Sequence, residues 1–316
     1  MNGTPTVSAV IVCMDRPDIL YPCLESIVSH NRTPVEIWVV AYMFSEEHLL
    51  ALRRDWPSVR IVESNGLRGF SENNNLALRR IGSDYVFVVN DDTVQDMPVI
   101  DMLLDDFSRL DGNVAAVSPK IVFADGRVQT CGRGPWTVWR WMKHYLHMGS
   151  ETRPSRWTMQ QGLFRTWTLN GACFLARTDA FRSAGWFDEA YTFTPEDIAL
   201  GHRFNEMGYT VYADADVRIT HYAGSSVSDM EQVIKPVRIA GSLIFLSRGS
   251  KLRRFMLAGF AWCVEAARYL KYSLLGCRSD RDRVMKATAR NVMKAVFSGK
   301  TTKELFVDNY HSLKQG

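Results

Sequence analysis

The chain has 316 residues, 46% of them hydrophobic, enough to bury a substantial core in one large or two modest domains. Its formal charge of +4 is unevenly spread: residues 1–231 hold 21 Lys and Arg against 29 Asp and Glu, and residues 232–303 hold 16 against 3, which predicts two parts with different partners. No window supplies the roughly 20 uninterrupted apolar residues of a membrane-spanning helix, Met1–Pro5 lacks the basic lead and cleavage pattern of a signal peptide, and six scattered cysteines without a CxxC pair read as reduced, buried thiols of a cytosolic protein.

Val7–Cys13, VSAVIVC, is a continuous β-branched run and reads as a buried parallel strand, broken by Asp15-Arg16-Pro17-Asp18. A helix follows in ILYPCLESIVSH, with Pro22 expected in its first turn. VEIWVVAY (35–42) is a second strand, SEEHLLALRRDW a helix with Ser45 as N-cap, VRIVES (59–64) a third strand, SENNNLALRRIG a helix and YVFVVN (85–90) a fourth strand. Four strand–helix alternations in ninety residues predict an α/β fold, a mostly parallel sheet with helices on both faces. Beyond residue 114, VAAVSPKIVF and TWTLNGACFLART (166–178) have strand character, and PEDIALGHRFNEMGY (195–209) is an amphipathic helix. VYADADVRITHYAG closes the unit near residue 230. Five of the nine tryptophans lie in residues 136–167, which suits either a binding surface or an aromatic-anchored lobe.

Three polar clusters stand at predicted strand or helix ends. Ligands of an open parallel sheet sit beyond the carboxyl ends of its strands, and Asn90-Asp91-Asp92-Thr93 occupies that place. Carboxylates there can meet a hard divalent cation, although an isolated NDDT is equally an Asp-rich turn. Glu196 and Asp197 open an amphipathic helix, where an acid serves the helix dipole or acts as a general base facing a cleft. His221 follows at the end of a further strand.

The order of these segments resembles glycosyltransferase family 2, inverting nucleotide-sugar transferases of GT-A (Rossmann-like) fold, with the rhamnosyltransferase-like branch most similar. The likeness covers about residues 6–226 and rests on VSAVIVCMDRPDILYPCLESI, NGLRGFSENNNLAL, VFVVNDDTV, LNGACFLARTDAFRSAGWFDEAYTFTPEDIALGHRFNEMGY and THYAGSS. It implies a GT-A domain over 1–231, with a nucleotide-binding half to about 113 and an acceptor-binding half beyond. In NDDT it implies Asn90 and Asp92 as the DxD-type metal positions, with His221 completing an Mn²⁺ or Mg²⁺ site. It further implies Asp197 as catalytic base with Glu196 as runner-up, and Asp15, Asn65, Arg68, Asn74, Asn75 and Asp91 as donor-binding residues. The donor would be a UDP-, dTDP- or GDP-sugar and the acceptor a glycan, often lipid-linked. Two positions depart from the family's pattern. The second strand runs into Ala41-Tyr42-Met43-Phe44-Ser45-Glu46 without the usual Asp, leaving Asp15, Glu46 or Tyr42 as substitutes, and Asn90 replaces an acid. The missing Asp keeps a second reading open, a non-catalytic GT-A-like scaffold or partner subunit of a glycan-assembly complex.

Residues 232–316 read as a basic, amphipathic helical region. SRGSKLRRFMLAGFAWCVEAARYLKYSLLGCR (247–278) is mostly apolar, with a narrow polar stripe of Glu265, Arg268 and Lys271. A second helix, DRDRVMKATARNVMKAVFSG, has an imperfect apolar face including Val284, Ala287, Val292, Ala295 and Val296. Such helices suit an anionic membrane surface, placing the protein peripherally on the cytosolic face, or they pack on the catalytic domain. A nucleic-acid partner is not expected, because no binding module accompanies the basic run.

Overall fold

The computed structural model describes residues 5–110, 112–146, 159–222 and 230–315. Its first half alternates as expected: β1 (Val7–Met14), α1 (Pro17–His30), β2 (Val35–Tyr42), α2 (Glu46–Asp55), β3 (Arg60–Ser64), α3 (Phe70–Leu78) and β4 (Tyr85–Val89). Next come β5 (Thr93–Val94), α4 (Val99–Arg109), β6 (Val114–Val122), β7 (Val128–Thr130), α5 (Val138–Tyr145), β8 (Leu163–Thr166), β9 (Cys173–Arg177), α6 (Thr178–Ser183), α7 (Glu196–Glu206) and β10 (Thr210–His221). All ten strands join one sheet in the order β3-β2-β1-β4-β9-β6-β10-β5, with β7 on β6 and β8 on β10. β1 to β4 are mutually parallel, β9 runs antiparallel between β4 and β6, and β10 is again parallel to β6.

The unbroken apolar runs of β1, β2 and β4 follow from coverage of both sheet faces. Ala9, Ile11, Val39 and Phe87 point to one side and pack with Leu20, Leu24 and Ile27 of α1 and Leu103 and Phe107 of α4. Val10, Val40 and Val88 point to the other side and pack with Leu78 of α3, Phe181 of α6 and Phe204 of α7. The period-two alternation of β-strands therefore feeds two separate cores. Ser45 caps α2 as predicted, accepting from the His48 N–H. α1 starts earlier than predicted, at Pro17, whose missing N–H suits a first helical position, so Pro22 falls in the second turn. The predicted strand over 166–178 is divided: β8 ends at Thr166, β9 starts at Cys173, and the residues between form a turn at the site described below.

The C-terminal region folds as α8 (Glu231–Ser247), α9 (Lys251–Leu274), α10 (Asp280–Ala295) and α11 (Thr302–Gln315). α8, α9 and α10 pack with the tryptophan-rich lobe, where Trp141 stacks on Tyr145 and both rings meet Phe260. Trp141 is thus an anchor and Trp139 is exposed, while Trp157 lies outside the described residues. Thr302, at the start of α11, bonds to Thr192 and to the Ala190 carbonyl, bracing the segment that leads into α7.

α9 buries part of its polar stripe. Glu265 is 0% exposed, and its Oε1 receives the Tyr145 hydroxyl at 2.6 Å, Arg268 at 2.5 Å and Lys235 at 3.2 Å. Of the narrow polar stripe, Glu265 and Arg268 thus form an interior ion cluster with Lys235, while Lys271 is exposed. Facing outward as well are Leu252 (69% exposed), Phe255 (65%), Met256, Trp262, Leu270 and Leu274 (82%), recurring at helical spacing on one side. The thiols also differ from expectation: four are buried, but Cys263 is exposed on α9 and Cys277 is half-buried. Glu265→Ala strands Lys235 and Arg268 without their counter-ion and is expected to cost about 3–5 kcal/mol, measured as a lower urea midpoint.

Candidate active site

The polar residues picked out in the sequence gather along the carboxyl edge of the sheet. Asn90 leaves β4 with its N–H bonded to the Ala172 carbonyl at 2.9 Å. β5 then pairs antiparallel with the last two residues of β10, His221 opposite Thr93 and Thr220 opposite Val94. The Tyr222 N–H bonds the Asp92 carbonyl at 2.8 Å. This short ladder, which carries no hydrophobic signature, sets the Asp92 and His221 side chains together: Oδ1 and Nε2 are 3.0 Å apart, and both residues are buried. The Asn90 amide nitrogen lies 3.5 Å from the same Nε2. On the far side of the ring, His221 Nδ1 is 2.7 Å from Gln129 Oε1 of β7. Asp91 is buried too, and turns toward Cys13 of β1. Burial pushes its carboxyl up to about 7, against a hydrogen bond from that thiol and with repulsion from Asp92 adding to the rise.

The acidic pair opens α7. Asp197 Oδ1 accepts from the Ile198 N–H at 2.7 Å, and Oδ2 accepts from the Gly171 N–H at 3.0 Å. The turn 170–172 thus grips Asn90 through Ala172 and Asp197 through Gly171, and Asn170 Oδ1 stiffens it by accepting from the Ala172 N–H. α7 lies close against the preceding segment because residue 201 is glycine: a Cβ there would stand 2.8 Å from the Trp167 carbonyl oxygen. Glu196 points into a different environment. Its Oε2 is buried with no hydrogen-bond partner, and burial followed by repulsion from Asp197 pushes its carboxyl up to about 8. Burial and mutual repulsion make this pair hold a proton more tightly than an isolated carboxyl.

The residues assigned to the donor divide into two groups. Asn65 lines a cavity of about 340 Å³ at the carboxyl ends of β2 and β3, together with Ala41, Phe44, Glu46, Arg53 and Glu63. Arg68 borders this end of the sheet, its guanidinium on Ser64 Oγ and its N–H on the Tyr42 hydroxyl. Asn74 and Asn75, in contrast, turn into the protein. Asn74 donates to the Phe70 carbonyl, and Asn75 bonds the Phe187 carbonyl, the Phe187 N–H and Glu189. They position α3 rather than face the cleft. α3 also approaches residue 192 closely, since a Cβ at Gly69 would stand 2.0 Å from the Thr192 carbonyl oxygen. Asp15 is occupied as well, its Oδ1 accepting from Ser45 N–H and meeting His48 Nδ1 at 2.8 Å. With Asp15 and Tyr42 engaged, Glu46 is the acidic substitute that reaches the cavity.

Sequence reasoning did not single out Gln129 or Gly171. Gln129 sits in a three-residue strand with no motif around it, and Gly171 acts through its backbone. Residues 223–229, including all of the AGSS that follows His221 and Tyr222, lie outside the described residues.

The profile of Glycosyltransferase like family 2 matches residues 5–236. The chain belongs to this family. Over 241 residues it is 30% identical to the O-antigen biosynthesis protein RfbC of Myxococcus xanthus, covering 72% of this chain but only 18% of that protein's length. The family-2 domain also resembles solved glycosyltransferases in fold. A mannosyltransferase, PcManGT from Pyrobaculum calidifontis, solved with GDP-Man and Mn²⁺, aligns with a TM-score of 0.55 at 15% identity, over 98% of this chain and 87% of the other. GalNAc-T7, solved with UDP, GalNAc and Mn²⁺, aligns with a TM-score of 0.58 at 13% identity, over 98% and 57% respectively. The sheet and its flanking helices are therefore of GT-A type, as the sequence resemblance implied.

The raised Glu196 carboxyl has a thermodynamic signature. The unfolded chain releases this proton near 4.5 and the folded one near 8, so stability falls as pH rises between those values. Glu196→Gln is expected to remove that slope and raise the melting temperature at pH 8, by about 2–4 °C for each kcal/mol recovered. Thermal melts of both proteins from pH 5 to pH 9 check this.

Proposed function

We propose that this family-2 domain is a metal-dependent inverting glycosyltransferase of hexosyl- or rhamnosyltransferase type. It moves a sugar from a UDP-, dTDP- or GDP-sugar to a hydroxyl of a lipid-linked glycan in cell-surface polysaccharide biosynthesis, at the cytosolic face of a membrane. The observation that carries the reading is the pairing of Asp92 Oδ1 with His221 Nε2 at 3.0 Å, on the sheet edge where Asp197 is braced by the turn that also holds Asn90. The RfbC likeness supports the polysaccharide context, and the two solved relatives of the same fold carry Mn²⁺.

The residues fit a divalent cation. Neighbouring donors of an octahedral ion, each about 2.1 Å from it, lie about 3 Å apart. Among the described residues there is no cluster of three or more His, Cys, Asp and Glu, so the protein ligands would be Asp92 and His221, with Asn90 joining only by turning its amide oxygen inward, because its nitrogen is the atom that faces Nε2. Substrate phosphate oxygens and water would fill the remaining positions, as is usual for such ions. When bound, the cation supplies compensation for the negative charge that develops on the departing diphosphate. Asp197, held by two backbone N–H donors, takes the proton of the acceptor hydroxyl as the C–O bond forms. Repulsion between Glu196 and Asp197 raises the proton affinity of the pair, which favours uptake of that proton. One displacement on the face opposite the leaving group inverts the anomeric carbon, with no covalent intermediate. Asp197→Asn is expected to lower kcat for donor turnover by about 10²–10⁴-fold with little change in donor KM, and full activity would sink the base assignment. EDTA should abolish turnover and Mn²⁺ restore it; turnover indifferent to EDTA excludes the cation.

The membrane part of the reading rests on α9. Its outward apolar stripe continues onto the turn that follows α10 through a contact between the Phe255 and Phe297 rings, 5.8 Å apart. Exposed Lys251 and Lys271 flank the stripe, within the region holding 16 basic residues against 3 acidic. Among the described residues no helix is long and apolar enough to cross a membrane. The stripe instead has the form of an in-plane helix, with apolar side chains toward lipid and cations toward anionic headgroups. The variant Phe255→Ser/Trp262→Ser is expected to weaken co-sedimentation with anionic vesicles at least about tenfold, given about 1.5–3 kcal/mol per buried large side chain. Unchanged sedimentation would argue against docking through this face.

A further inference from the structure

We infer that Gln129 is a positioning residue that selects the imidazole tautomer of His221 and so keeps Nε2 available to a cation; the inference rests on the metal reading given above. Gln129 belongs to β7, which pairs with the end of β6 on the side away from β10. Its side chain reaches over β6 to the end of β10, where Oε1 stands 2.7 Å from His221 Nδ1. A carbonyl oxygen only accepts, so Nδ1 carries the hydrogen, and in the neutral ring Nε2 then presents its lone pair. On the Nε2 side stand the Asp92 carboxylate at 3.0 Å and the Asn90 amide nitrogen at 3.5 Å. The amide nitrogen is purely a donor and suits a bare Nε2. The carboxylate, purely an acceptor when ionised, gains nothing from a bare Nε2 unless a cation lies between them. The Gln129 amide therefore determines whether Asp92 and His221 face each other as two metal donors or as a hydrogen-bonded pair. A reversed amide would donate to Nδ1, move the hydrogen to Nε2 and close the Asp92–His221 bond.

Metal ligands of this kind commonly have their second ring nitrogen fixed by an outer acceptor, and loss of that acceptor costs about 10–100-fold in metal affinity. What the structure adds is the identity of the acceptor, a neutral amide on a three-residue strand. An amide fixes the tautomer without placing another negative charge beside Asp91 and Asp92.

The test reads the tautomer first, without metal. In ¹⁵N-histidine-labelled full-length protein at pH 8.5, above the ordinary histidine range, the His221 signals are identified by their loss in His221→Ala. The expected spectrum is that of the Nδ1–H form in the parent and in Gln129→Glu, which can only accept, and a shift toward the Nε2–H form in Gln129→Leu. An Nε2–H parent, or a Gln129→Leu spectrum identical to the parent's, overturns the proposal. Mn²⁺ titration followed by electron paramagnetic resonance supplies the second reading. Gln129→Leu should bind Mn²⁺ about 10–100-fold more weakly, with Gln129→Glu restoring affinity. Affinity in Gln129→Leu within twofold of a parent that binds Mn²⁺ through His221 overturns the positioning role while the metal site stands. The expected tautomers in a parent that binds no Mn²⁺ uphold the positioning of the ring and overturn the metal reading instead.

Discussion

The site depends on the two-residue ladder between β5 and the end of β10. Asp92 and His221 are separated by more than half of the family-2 domain in sequence, and the His221–Thr93 and Thr220–Val94 pairings bring them to 3.0 Å. Pairing over such a separation is held by the larger sheet, because two residues of strand cannot stabilise themselves. The β6–β10 pairing carries β10 to that edge, and the β1–β4 pairing carries Asn90 to its own. A pair of buried polar side chains at the sheet's edge is thus supported by the whole ten-stranded frame.

A second constraint governs the C-terminal helices. An ion cluster of one acid and two bases is buried between α8, α9 and the lobe helix α5, and desolvation makes such a cluster costly unless its geometry is good. α9 therefore carries apolar residues on two sides, Leu257, Ala258 and Ala261 inward beside the cluster and Leu252, Phe255 and Leu274 outward. The same packing joins these helices to the catalytic domain, since α8 and α11 buttress the segment leading to Glu196 and Asp197.

The parts of this arrangement that were legible in the sequence are those with a periodic or strand-end signature. β1 to β4 show as unbroken β-branched runs because both faces are covered, and NDDT, the Glu196-Asp197 pair and His221 show because polar residues follow apolar strands. What the sequence does not display is pairing. β5, β7 and β8 are two to four residues long and exist only through their partners, so Gln129 carries no local mark. Side-chain direction is equally hidden. Asn74 and Asn75 lie in the motif expected to line the donor, yet both are buried, Asn75 bonding the 187–189 loop and Asn74 the Phe70 carbonyl of its own helix. Glu265 likewise reads as a surface charge, because the Lys235 and Tyr145 that neutralise and bond it come from other helices.

The turn at 170–172 has a consequence for how this site can vary. One end of it is bonded to Asn90 and the other to Asp197, both through backbone groups, so the span between the two ends of the reaction centre is a matter of main-chain length. Side-chain replacement around the cleft alters charge, hydrogen bonding and fit while leaving that span unchanged. Only gain or loss of a residue in the turn would alter it. The cleft can therefore change its lining on a fixed gauge.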